Sequence, residues 1–530
     1  MFLNPPPHYG FTKFQQWRPS QITAIRHILK SKKKFVACSI PTGGGKSLIY
    51  TAAARIGNLG RVLILTSTKG LQDQLIADFA ANGMVQIMGK ANYPCYEQKN
   101  SYCDLGPCNF GYECPLKDAG CAYFDSLAIA RNSNLVVTNY HYYLKMSSIG
   151  DQNRALGYFD TVICDEGHEL PDILADHISL TLDIDKVKEI HDADIPNYGQ
   201  DFDKWAIWAK ELQQRISAEL TSLRIAISHR FTSKLATAIA KREKLVEQLQ
   251  FVAEIPSRAQ YRHFCNYDTE NNSIKFGPVE FYRYWSDWEM FNTFRKVIII
   301  SATLREKSMY LLGLGPEDYD FLDMPSVFPI ENSPKIHVST IRLNRATSDK
   351  ELADVWVKKI DNIIDSRLDR KGIIHVTSYR YAKVIAEYSR HRNLMFVSTG
   401  ARKNKELVEL FKRAKAPAIL VGPAFTTGYD FPDEQCQYQI IGKLPFPNIG
   451  DTFLQEKAKH DYFLIPYKVA QTLVQATGRG TRHEKDKCEN IIIDDCVVDF
   501  VARHRQFFPK WWLDGYKSVF TVPAPIKLKG

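Results

Sequence analysis

Ser39-Ile40-Pro41-Thr42-Gly43-Gly44-Gly45-Lys46-Ser47 leads from one apolar segment, Phe35-Val36-Ala37-Cys38, into another, Leu48-Ile49-Tyr50-Thr51-Ala52-Ala53-Ala54. That is the strand, loop and helix context of a phosphate-binding loop. Glycines let the backbone turn its N–H groups around an anion, and a helix beginning near Lys46 aims its partial positive end at the same place. In such a loop Thr42, Gly43, Gly44 and Gly45 cradle a triphosphate, Lys46 reaches the β- and γ-phosphates, and Ser47 ligates Mg²⁺. The first position of the G-x-x-x-x-G-K-[ST] pattern is Ile40 here rather than glycine.

Working outward, Gln21 opens a helical pattern (Ile22, Ile25, Ile28, Leu29), and its amide has the donor and acceptor faces that match an adenine edge. The apolar run Val62-Leu63-Ile64-Leu65 ends in Thr66-Ser67-Thr68-Lys69. Thr68 and Lys69 at a strand's carboxyl end suit contact with a phosphodiester backbone, and the hydroxyls equally suit a helix N-cap. Thr161-Val162-Ile163-Cys164 is followed by Asp165-Glu166-Gly167-His168. Carboxylates leaving a buried strand are costly unless they serve a cation, so Asp165 is read as a Mg²⁺ ligand and Glu166 as the group that orients or deprotonates water. His168 is expected to couple this site to its neighbours. A further apolar run, Lys296 to Ile300, enters Ser301-Ala302-Thr303.

The strand and helix alternation begins again after about residue 330. Gly372-Ile373-Ile374-His375-Val376 leads to Ser378 and Tyr379, and Ala418-Ile419-Leu420-Val421 leads to Thr426-Thr427-Gly428-Tyr429-Asp430. Near the end lies Gln475-Ala476-Thr477-Gly478-Arg479-Gly480-Thr481-Arg482, read as a helical stretch with both arginines on one face. Guanidinium groups are the best protein ligands for phosphate oxygens, so Arg479 and Arg482 are expected to reach into the first lobe's site.

Composition sets bounds. The chain has 530 residues and a formal charge of +10, with 69 Lys and Arg against 59 Asp and Glu, which permits a polyanionic partner. No apolar run is long enough for a membrane span and the start of the chain lacks signal-peptide features, so a soluble, intracellular protein is expected. Five cysteines crowd into one stretch: Cys95, Cys103, Cys108, Cys114 and Cys121. Thiols so close together suggest a metal that holds them as thiolates, and their irregular spacing suits an iron-sulfur cluster better than paired zinc knuckles. The segment from Phe202 to Val252 has no proline or glycine and reads as two long amphipathic helices. Its basic residues read mostly as a solvated face.

Taken in order, these motifs resemble those of superfamily 2 helicases of the XPD-like and DinG-like iron-sulfur branch. The resemblance spans nearly the whole chain, through Gln21, Pro41 to Ser47, Asp165-Glu166-Gly167-His168, Ser301-Ala302-Thr303, Gly428-Tyr429-Asp430 and Gln475-x-x-Gly478-Arg479-x-x-Arg482. Thr427 stands where relatives often carry Glu. The resemblance implies an α/β fold of two RecA-like parallel-sheet lobes, with the first at 1–180 and 276–330 and the second at 331–530. An iron-sulfur insertion at 89–125 and a helical arch at 181–275 would interrupt the first lobe. It implies a 4Fe-4S cluster on Cys95, Cys108, Cys114 and Cys121, leaving Cys103 over, although Cys103 can take the place of Cys108. ATP and Mg²⁺ are the implied cofactors, with Gly428 and Asp430 also at the nucleotide. Ser378, Tyr379 and Thr426 would join Thr68 and Lys69 on the nucleic acid.

The implied activity is 5′ to 3′ movement on single-stranded DNA, by a monomer that opens forked duplexes at the cluster, in the cytoplasm of a bacterial or phage-infected cell and associated with the nucleoid. Two other readings stand beside it: an ATP-driven translocase or remodeller that does not separate strands, and an iron-sulfur DNA-binding redox sensor with a vestigial ATP site.

Overall fold

The computed structural model describes residues 3–528 apart from 119, 149–155, 193, 259–261, 270, 281–290, 345, 401–402, 424, 426–428, 430, 449, 479 and 481–485. Its first lobe is built on β1 (Phe35–Ser39), β2 (Val62–Thr66), β3 (Met84–Gln86), β4 (Leu135–Asn139), β5 (Thr161–Asp165), β9 (Lys296–Ser301) and β10 (Tyr319–Asp323). Every pairing is parallel and the order is β10-β1-β9-β5-β2-β4-β3. Continuous apolar runs such as Val297-Ile298-Ile299-Ile300 are buried along their length because helices cover both faces of such a sheet. The register sets Ser39 opposite Ser301 and Asp165 opposite Ile300. Three motifs far apart in the chain thus end side by side at the carboxyl edge, where open parallel sheets bind ligands.

The second lobe repeats the plan with β11 (Lys335–Ile341), β12 (Lys371–His375), β13 (Met395–Val397), β14 (Ala418–Gly422), β15 (Tyr438–Ile441), β16 (Glu489–Asp494) and β17 (Tyr516–Val519). These strands are again all parallel, in the order β13-β14-β12-β15-β16-β11-β17. The helix Leu464–Ala476 lies against the first lobe: Tyr467 OH meets Ser308 Oγ, and Lys468 Nζ is 2.7 Å from both Asp172 carboxylate oxygens. The expected helix through Arg482 stops at Ala476. Thr477 caps it, and Gly478 and Gly480 stand in turns.

Two insertions hang from the first lobe. The cysteine loop leaves between β3 and β4. The second insertion, between β5 and β9, contains helices Phe202–His229 and Ser233–Glu254, which pack on each other through Leu212, Ile216, Ile239 and Leu249. It is not purely helical as expected: β6 (Leu180–Asp183), β7 (His263–Asp268) and β8 (Ser273–Pro278) form an antiparallel sheet at its base. Trp205 binds helix to sheet, edge-on to Phe276 at 5.1 Å. At the far tip Phe231 meets Phe110 and Tyr112 of the cysteine loop, at 6.0 and 5.7 Å. At the base Phe264 meets Phe453 of the second-lobe helix Thr452–His460 at 5.7 Å, and Arg262 pairs with Glu456 at 3.0 Å.

Candidate nucleotide site

The loop after β1 carries the geometry its sequence requires. Gly45 has φ +78°, and a Cβ there would lie 2.5 Å from Gln21 Nε2, so both backbone and space demand glycine. Arg18 Nη1 donates to the Gly43 carbonyl at 2.8 Å, and the Arg18 backbone N–H donates to Gln21 Oε1 at 2.9 Å. Gln21 is buried against the loop with its acceptor face already used. Helix Lys46–Ile56 begins directly after Gly45 and aims its N-terminus into the loop.

Asp165 ends β5 and is 4% exposed. Tyr50 OH donates to its Oδ2 at 3.2 Å, and the Glu166 N–H donates to Oδ1 at 3.0 Å. Burial, reinforced by the neighbouring Glu166 carboxylate, pushes Asp165 up to about 6 in spite of Lys46. A carboxylate so enclosed, facing phosphate-binding N–H groups and a serine at the helix start, has the donor chemistry a divalent cation requires. Glu166 has φ +49°, an uncommon conformation for a side-chain-bearing residue, which turns its carboxylate toward Lys46 Nζ at 3.6 Å. Burial pushes Glu166 up, but Lys46, His168 and the Ser301 hydroxyl outweigh it and hold this carboxyl well below the usual range. Gly167 packs where a Cβ would fall 2.3 Å from Ile299 Cγ2, so only glycine lets the turn lie on β9.

From Glu166 a polar chain runs to the other lobe. Ser301 Oγ donates to Glu166 Oε2 at 3.2 Å, and His168 Nδ1 is 2.6 Å from the same hydroxyl. His168 Nε2 meets the side-chain amide of Gln475 on the second lobe. One proton arrangement satisfies all three contacts: Nδ1–H donates to Ser301, and Nε2 accepts from Gln475. Three residues after Gln475, a Cβ on Gly478 would come within 3.2 Å of Thr42 Oγ1 in the phosphate loop.

The structure thus brings Gln21, Thr42, Gly43, Gly44, Gly45, Lys46, Ser47, Asp165, Glu166 and His168 to one place. Arg479, Arg482, Gly428, Asp430 and Thr426 lie outside the described residues. Thr68 and Lys69 are exposed at the end of β2, where Thr68 Oγ1 accepts from the Leu71 N–H and so performs the capping role. Ser378 and Tyr379 follow β12 at the second lobe's carboxyl edge, and Tyr379 is exposed. Sequence reasoning quoted Ser301 and Gln475 only as parts of motifs, and it missed Tyr50. Its helical position, facing the end of β5 from the next turn, was the available signal.

All five cysteines of the loop line one small cavity, with Lys90, Tyr96 and Phe124 among its other walls. Cys103, expected to be left over, is buried inside the same cavity, its sulfur 3.9 Å from that of Cys121. Burial, followed by the proximity of Cys121, pushes Cys103 up to about 12. Among the described residues no three His, Cys, Asp or Glu side chains are grouped as a metal ion would need.

Two parallel-sheet lobes, one phosphate loop, and a hydrogen-bonded bridge from its acid cluster to the second lobe define a two-lobed nucleotide-driven motor. Family models agree with that division: "Type III restriction enzyme, res subunit" matches residues 14–196, and "Helicase C-terminal domain" matches 362–515. A probable ATP-dependent helicase of Methanocaldococcus jannaschii is 24% identical over 98% of this chain and 97% of its own. The ATP-dependent DNA helicase YoaA of Escherichia coli is 22% identical, over 92% of each chain. A solved XPD helicase structure has the same fold, with a TM-score of 0.62 at 15% identity over 95% of this chain and 100% of its own. Over almost its whole length the chain is thus similar in sequence to ATP-dependent helicases and in fold to an XPD helicase, and its second lobe matches the helicase C-terminal family.

Proposed function

We propose that this chain is a DNA helicase that moves 5′ to 3′ along single-stranded DNA and parts forked duplexes at the cysteine loop. The observation that carries the reading is the chain of contacts from Glu166 through Ser301 and His168 to Gln475, because it ties the hydrolytic carboxylate to the position of the other lobe. Lys46 pairs with Glu166 here. A bound triphosphate competes for that ammonium, leaving Glu166 to hold a water in line with the γ-phosphorus and accept its proton as the bond to the β-phosphate oxygen breaks. Ser47 and Asp165 would hold Mg²⁺, which would supply neutralisation of the phosphate charge. Arg479 and Arg482 follow Gly478, which already abuts Thr42, and in this reading they contact phosphate only when the lobes are closed.

Closure and release then move the strand. Thr68, Lys69, Ser378, Tyr379 and Thr426 grip its backbone, which makes binding salt-sensitive and nearly independent of sequence. Cys95, Cys108 or Cys103, Cys114 and Cys121 would hold a 4Fe-4S cluster. The convergence of five thiols on one cavity supports that assignment. Such a cluster would cross-link the loop into a rigid wedge against base-pair steps of about 1.4 kcal/mol each. The enzyme acts as a monomer in the cytoplasm, close to the nucleoid.

The test is Lys46→Ala in DNA-stimulated ATP hydrolysis and in a polarity-resolved unwinding assay. Both activities should vanish. Retained stimulated hydrolysis overturns the mechanism, and hydrolysis without unwinding by the wild type favours the translocase reading.

A further inference from the structure

On the second lobe an aromatic row runs unbroken from the cleft between the lobes to the surface turn before helix Leu464–Ala476. Phe446 lines a cleft cavity of about 370 Å³ together with Thr377 and Pro423, and it is 40% exposed. Its ring meets Phe500 edge-on at 6.0 Å, and Phe500 meets His504 at 4.8 Å. His504 stacks on Phe507 at 6.0 Å, Phe507 meets Phe463 at 5.8 Å, and Phe463 meets Tyr462 at 5.2 Å. The middle of the row is anchored by the buried Phe500 and Phe507, whereas its ends are open, with Tyr462 80% exposed. Single exposed aromatics are ordinary on protein surfaces. Here Phe500 and Phe507 also belong to the lobe's core, touching Phe508 and Tyr467, and so hold the two open ends in fixed places. Arg503 and Arg505 flank His504, both exposed and neither in an ion pair among the described residues.

We propose that this row is a base-stacking track for single-stranded DNA, with Phe446 at one end and Tyr462 with Phe463 at the other each offering a face to a base. Arg503 and Arg505 take the phosphates between them. Alternating ring faces and guanidinium groups are the chemistry that holds unpaired strands without reading sequence. The cavity at Phe446 also borders Thr377, next to Ser378 and Tyr379, so the track continues the backbone grip at the end of β12. The inference rests on the helicase reading, and adds base contacts where that reading has only backbone contacts.

Fluorescence anisotropy of the full chain with oligothymidylate, and with an abasic strand of equal length, tests it. Phe446→Ala and Tyr462→Ala should each weaken oligothymidylate binding about ten-fold and leave abasic binding unchanged. Phe446→Trp should restore it, which separates stacking from misfolding. The double variant R503A/R505A should weaken both strands and flatten the salt dependence. Unchanged affinity for oligothymidylate, or equal loss on both strands with no rescue by Trp, overturns the track while leaving the helicase reading intact. A wild-type chain that binds neither strand overturns both.

Discussion

His168 Nδ1 stands 2.6 Å from Ser301 Oγ, and that hydroxyl has Glu166 as its own acceptor. The serine is thus a relay between a residue that contacts the second lobe and the carboxylate assigned to the attacking water. Ser301→Ala should lower kcat for ATP hydrolysis by about ten-fold or more while KM for ATP changes little, because the lost contact orients the base rather than the nucleotide. Steady-state kinetics at saturating DNA give the split. A rise in KM alone would assign Ser301 to binding.

Gly45→Ala addresses the loop itself. The new methyl meets Gln21 Nε2 and must adopt a φ of +78°, which costs an L-residue about 1–2 kcal/mol. Nucleotide affinity, measured by titration with a fluorescent ATP analogue, should fall about ten-fold or more with the unfolding cooperativity retained.

Anaerobically purified protein should contain about four irons and four sulfides per chain, and Cys114→Ser or Cys121→Ser should remove them. Cys103→Ser should keep the visible absorbance and Cys108→Ser should lose it. The opposite pair of results would exchange the roles of these two thiols. Zinc in place of iron would rule out the cluster.

Lys335 is 4% exposed, and burial pushes its ammonium from 10.5 down to about 8. The folded state therefore sheds this proton before the unfolded state does. Its contribution to stability is least favourable below pH 8 and recovers as pH rises toward 10.5. Buried thiols such as Cys38, raised to about 12, act in the opposite sense, so the difference between variants is the useful quantity. Denaturant unfolding at pH 7.5 and pH 10 should show Lys335→Met gaining on the wild type at the lower pH and losing that advantage, by about 1–3 kcal/mol, at the higher.

Most of the nucleotide site was legible because its parts are strand-end motifs, and a parallel sheet gathers strand ends whatever their separation in the chain. Ser39, Asp165 and Ser301 needed only the β1-β9-β5 order to meet. Contacts decided by side-chain direction were not legible. Gln21 reads as a free amide in sequence, yet its oxygen is taken by its own helix start. The antiparallel sheet of the second insertion was missed because its strands are short and one, Leu180–Asp183, is separated from its partner by three α-helices. Cys103 reads as surplus by family pattern, whereas the loop's fold turns it inward with the other four.

The second insertion is held at both ends: its tip by Phe231 against the cysteine loop, and its base by Phe264 and Arg262 against a helix of the second lobe. Between them runs the 22-residue helix Ser233–Glu254, about 33 Å of stiff rod. A strut pinned in this way does not absorb displacement; it passes it on. In the proposed cycle, a rocking of the second lobe would therefore be felt at the cysteine loop, far from the phosphate loop, without any part of the strand between having to carry the signal.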